Sequence, residues 1–95
     1  MLLPGTIIKY DTDDVVDMSA NDLHEFIDMY VHGYLNHLIT AGAVMTIIET
    51  HMHEIEFGKH LREFYIIRMV GEKGMVCWDI LPKDKEYWNI MILVP

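Results

Sequence analysis

The residues best equipped for chemistry are six histidines. His51-Met52-His53 sets two imidazoles on one face of a strand, a spacing that metal sites use. His24, Asp28 and His32 recur at four-residue intervals, which on a helix lines them along one edge as half of a site. Neither group supplies a full ligand shell. The strand register read below puts Phe64 and Ile66 beside His51 and His53. It leaves Asp79 two strands from His51, about 10 Å at sheet spacing. His60 falls at a turn. Surface or hydrogen-bonded histidines therefore outweigh a zinc site, and a metal-dependent enzyme using His51 and His53 stands as an alternative only.

The lone cysteine, Cys77, lies near Arg68 in the same register, where a cation would lower its pKa and His51 or His53 could serve as its base. Lone strand cysteines are more often packing residues. Ser19 lacks a Gly-x-Ser-x-Gly setting and suits a helix cap. Asp79 and Glu49 could form a carboxylate pair, but Arg68 falls between them and pairs with Glu49 across the strands. No glycine-rich phosphate loop is present. The expectation is no catalytic residue, no bound metal and no cofactor.

The remaining chemistry is acidic. Asp11, Asp13, Asp14, Asp17, Asp22, Glu25 and Asp28 follow one another with no Lys or Arg between Tyr10 and Phe57. Residues 1–57 carry ten carboxylates against Lys9 alone, and residues 58–95 carry five against six cations, giving formal charges of −9 and +1 within a total of −8. Such a face repels nucleic acid and attracts and steers a basic protein surface. A row of carboxylates can also imitate phosphates. The plain alternative is a solvated loop and helix start. Asp11-Thr12-Asp13-Asp14 has oxygen ligands for calcium but lacks the loop glycine and closing glutamate of an EF-hand.

These residues have to be positioned by a small body. The 95 residues make one domain, 1–95, and an apolar share of 52% with 23% charged residues describes a globular chain. One cysteine rules out an internal disulfide and fits a reducing compartment. The opening MLLPGTII lacks a basic n-region and is broken by Pro4-Gly5, unlike a signal peptide. No apolar run reaches the length of a membrane span. A cytoplasmic location with no membrane partner is expected.

The pattern predicts an α+β fold in the order β-α-β-β-β-β, one long amphipathic helix on an antiparallel sheet of about five strands. Residues 6–10 (TIIKY) form a first strand after a Pro-Gly turn, and residues 11–17 a polar loop. Ser19 or Asn21 would cap a helix running to Ile39, with Gly42 as its stop. Leu23, Phe26, Ile27, Tyr30, Val31, Tyr34, Leu35, Leu38 and Ile39 share an arc of about 220°, well beyond the usual stripe of about 100°. That excess calls for a second covering surface.

Residues 43–57 fit both helix and strand, and hairpin geometry favours strand. Gly58-Lys59 suits a two-residue turn that sets Phe57 opposite His60 and Met52 opposite Tyr65. A tight turn at residues 71–74 would set Ile67 opposite Trp78. Trp78, Ile48, Met52, Tyr65 and Ile67 then share an apolar face, with Cys77, Asp79 and the histidines on the other. Residues 88–94 (WNIMILV) read as an interior strand or an edge paired with another molecule.

The favoured function is a small acidic protein-binding module, non-catalytic, that inhibits or regulates a basic and possibly nucleic-acid-binding protein. Viral or plasmid accessory proteins, antitoxins and immunity proteins are chains of this kind. The alternative is a self-associating assembly subunit, and a homodimer is expected under both.

Overall fold

The computed structural model describes residues 2–95. The elements are β1 (Ile7–Tyr10), β2 (Asp14–Val16), α1 (Leu23–Val31), β3 (His37–Ile39), β4 (Val44–Phe57), β5 (His60–Gly71), β6 (Val76–Pro82), a 3-10 turn (Lys85–Tyr87) and β7 (Ile90–Val94). Five strands form an antiparallel sheet in the order β6-β5-β4-β1-β7, and β2 pairs with β3 in a separate two-stranded sheet. The class is α+β as the pattern predicts. The helix is short, and the element order gains two strands.

The β4–β5 hairpin follows its turn chemistry. Gly58 takes φ 60 while Lys59 stays at negative φ, and Phe57 pairs with His60 and Met52 with Tyr65. One positive φ, at the first turn residue, is what a type II′ hairpin turn requires. The next hairpin departs from expectation by one residue. Gly71 N–H donates to Met75 O, leaving a three-residue loop, and its last residue Gly74 sits at φ 79. A left-handed glycine closing such a loop makes a bulge, which shifts β6 so that Trp78 faces Arg68 and Ile67 faces Asp79. A one-residue shift exchanges the faces of a strand. Trp78 therefore points away from the face occupied by Ile67, and Cys77 and Asp79 point toward it.

That face is the main core. Ile8, Tyr10, Met45, Ile47, Ile67, Met69, Cys77, Leu81 and Ile90, drawn from all five strands, are buried there with Val16 of β2 and Ile39 of β3. The smaller sheet thus closes the core over the larger one. It also covers the β6 edge, where Asp17 and Trp78 exchange both backbone hydrogen bonds at 2.7 and 3.0 Å.

The helix is nine residues long and ends well before Ile39. Tyr34 N–H donates to Met29 O, Gly33 N–H donates to Tyr30 O, and Gly33 takes φ 73. This pair of bonds around a left-handed glycine is the Schellman stop, so the terminator is Gly33 and not Gly42. The 220° arc came from joining two elements: Leu38 and Ile39 belong to β3. The helix packs on the outer face of β5 and β6. Phe26 stacks on Trp78 with ring centroids 5.8 Å apart, and Ile66, Ala20, Leu23, Ile27, Tyr30, Leu35 and Ile80 complete this second cluster. Burial of Phe26 alone contributes about 1.5–3 kcal/mol. No helix among the described residues is long and apolar enough to cross a membrane.

Candidate functional site

The acidic residues fall on β2, on α1 with its cap, and in the turns around β2. Asp11 is exposed just after β1, and Asp13 is exposed in the turn before β2, where its Oδ1 accepts Ala41 N–H at 2.7 Å. Asp14 opens β2 half-buried and accepts Val15 N–H at 2.8 Å. Asp17 is fully buried. Its Oδ2 accepts Ala20 N–H at 2.6 Å and its Oδ1 accepts the Ser19 hydroxyl at 2.9 Å. Asn36 braces the same turn, donating to Ser19 Oγ and accepting Met18 N–H.

Asp22 is the helix N-cap in place of Ser19 or Asn21, accepting Glu25 N–H at 2.9 Å. Glu25 returns a bond to Asn21 N–H at 3.1 Å, close to a capping box. Asp28 is exposed and lies 3.3 Å from His32 Nδ1. The seven carboxylates thus divide. Asp14 and Asp17 are turned into the structure, whereas Asp11, Asp13, Asp22, Glu25 and Asp28 are exposed.

The histidines do not converge. His51 Nε2 bonds Glu49 Oε2, and its ring stacks on Trp78 at 6.3 Å. His53 lies opposite Phe64 beside Met52, Glu54 and Glu63. His32 bonds back to the Asp28 carbonyl at 2.8 Å, capping the helix end. Among the described residues no three His, Cys, Asp or Glu side chains gather as metal ligands. Arg68 pairs in register with Glu49 as expected, but its guanidinium lies over Trp78 at 5.4 Å. Asp79 is on the opposite face from Glu49, so the two make no carboxylate pair.

Cys77 is also on the inner face, away from Arg68. Burial, then the charges of Asp79 and Asp17, push its thiol up to about 12. A protonated, enclosed thiol is a packing residue.

The inward turn of β6 assembles a polar cluster that sequence reading misses. Asp79 is buried in the core. It accepts the Tyr10 hydroxyl at 2.6 Å on Oδ2 and Ile80 N–H at 2.7 Å on Oδ1. Burial raises the Asp79 pKa well above the carboxylate range, and the neighbouring Asp14 carboxyl adds to the rise. Burial, then Asp79, raises Tyr10 in turn. A carboxyl buried in a low-dielectric site favours its neutral form. The one sequence signal for this cluster is Gly74, because the loop it closes decides which way Asp79 points.

One open apolar cleft of ≈ 330 Å³ runs between Leu2, Leu3 and Pro4 on one side and Thr50, Met52 and Tyr65 on the other. It carries no catalytic set. Comparison with protein-family models, curated proteins and solved structures finds no match to this chain.

Proposed function

We propose that the chain is a small acidic protein-binding module that inhibits or regulates a partner by engaging its basic surface. The contact surface is Asp11, Asp13, Asp22, Glu25 and Asp28. The observation supporting this reading is uncompensated charge. Among the described residues no Lys or Arg pairs with any of these five, and the one Lys–carboxylate pair, Lys83–Glu63, lies elsewhere. Exposed charge without an internal partner is free to steer association. Asp14 and Asp17 leave the contact surface because Asp14 is half-buried and Asp17 is fully buried.

The test is capture from host lysate at low and high salt, with Asp11→Lys, Asp13→Asn, Asp22→Asn, Glu25→Gln and Asp28→Lys combined. The amide replacements keep the acceptor oxygens of the turn and cap while removing charge. Wild type should retain a basic protein that high salt releases, and the variant, with an unchanged circular dichroism spectrum, should not. Equal retention by both overturns the reading.

A further inference from the structure

We propose that β7 is the seam of a homodimer, pairing antiparallel with β7 of a second copy about a two-fold axis. β7 ends the strand order, with one side paired to β1 from Tyr10–Ile90 to Ile7–Val94 through a register shift between Ile8–Ile92 and Ile7–Val94, and with no strand on its other side among the described residues. A free edge presents a row of backbone N–H and C=O groups that another strand can satisfy. Proteins that remain monomeric blunt such edges with charges, proline or a cover. This chain does so elsewhere: Asp17 bridges the β6 edge at Trp78, and Glu54, Glu56, Lys59, Arg62 and Glu63 stud the projecting end of the β4–β5 hairpin. From Trp88 to Val94 no side chain is ionisable, and Met91, Leu93 and Val94 are 51%, 44% and 50% exposed.

The occupant that fits is a second copy. An antiparallel pair of identical strands is self-complementary under a two-fold axis. Two chains that each carry −8 repel through the carboxylates of residues 1–57, and an uncharged strand edge lets them approach without setting those groups against one another. The helix bearing Glu25 and Asp28, capped by Asp22, packs on the outer face of β5 and β6, toward the other end of the strand order from β7. A β7 seam thus makes one ten-stranded sheet with the two helices on its outer arms. A basic partner would be drawn to the carboxylates and not to this neutral edge, so the inference is independent of the acidic surface. Centred on Ile92, the pairing sets Met91 of each copy opposite Leu93 of the other. A five-residue ladder buries less than the roughly 1,200 Å² of a standard interface, so the dimer exchanges with monomer.

The test is sedimentation velocity over a dilution series spanning the micromolar range, with amide hydrogen exchange read at β7. Wild type should show concentration-dependent dimer and matching protection of amides in Ile90–Val94. Met91→Lys with Leu93→Lys places like charges across the seam at exposed positions the fold tolerates, and should be monomeric throughout with an unchanged circular dichroism spectrum. A wild type monomeric at the highest concentration, a dimer undiminished by the two lysines, or a dimer without added protection at β7 each overturns the proposal.

Discussion

Between residues 11 and 43 side chains hold the backbone together, whereas between residues 44 and 82 the backbone holds itself. In the first region three short elements are separated by turns, and Asp13, Asp17, Asp22 and Glu25 each accept a backbone N–H that no ladder reaches. In the second, β4 and β5 pair from Met45–Gly71 to Phe57–His60 and β6 continues the ladder. Side chains there are free to pack, stack or face water. The difference bears on charge. Much of the acidity of residues 11–28 exists because carboxylates are good acceptors for orphan N–H groups. Counting charges alone therefore overstates the surface available to a partner.

The two regions meet at Phe26 and Trp78, and breaking that seam should have the largest effect. Phe26→Ala removes a fully buried ring and leaves a cavity beneath the helix, at a cost of about 3–5 kcal/mol. Urea denaturation measures the loss. Tryptophan emission should shift to the red in the folded variant as water reaches Trp78, while the circular dichroism of the sheet persists. An unshifted spectrum with small destabilisation would mean that the first region is held by its polar turns alone.

The second region is itself tied to β1 by the bond of Tyr10 with Asp79. Tyr10→Phe removes one of the hydrogen bonds to a buried carboxyl and should cost about 1–3 kcal/mol. The pH dependence sharpens the point. The Asp79 pKa is raised on folding, so the folded state binds the proton more tightly than the unfolded chain. Its stabilising contribution is complete below the unfolded value of about 3.9 and is lost as pH climbs through the folded value. Asp79→Asn keeps an acceptor for Tyr10 and cannot ionise. Its stability relative to wild type should rise as pH increases above about 4 and then level off. A difference between the two that is flat with pH would show that Asp79 is ionised in the folded core.

Legibility followed the same division. The β4–β5 register was readable because Gly58-Lys59 fixes it locally, and Glu49 does lie opposite Arg68. The β5–β6 register was missed by one residue because a left-handed Gly74 lengthens the loop, and that residue moved Trp78, Cys77 and Asp79 to the wrong faces. The helix was overextended because Tyr34, Leu35, Leu38 and Ile39 continue the apolar period by coincidence across the Gly33 stop. β7 was open to two readings, and the structure puts it at an edge. For the candidate site, the exposure of Asp11, Asp13, Asp22, Glu25 and Asp28 could be read from a polar run. The burial of Asp14 and Asp17 could not, because an acceptor's role depends on where its donor lands in space.

The smallest effects give the finest test of the contrast, and they come from two aspartates six residues apart. Asp17→Ala deletes the acceptor of Ala20 N–H and the Ser19 hydroxyl in a buried turn next to the Trp78 bridge, and should cost about 1–2 kcal/mol. Asp11→Ala removes an exposed carboxylate that accepts no hydrogen bond among the described residues, and should stay within about 0.5 kcal/mol of wild type. Thermal melts of the two variants decide the matter. If Asp17→Ala is as silent as Asp11→Ala, side-chain acceptors do not hold the first region, and its acidity returns in full to solvent and partners. If only Asp17→Ala is destabilised, the same residue type is structural at one position and free at the other, and the free one belongs in any surface a partner reads.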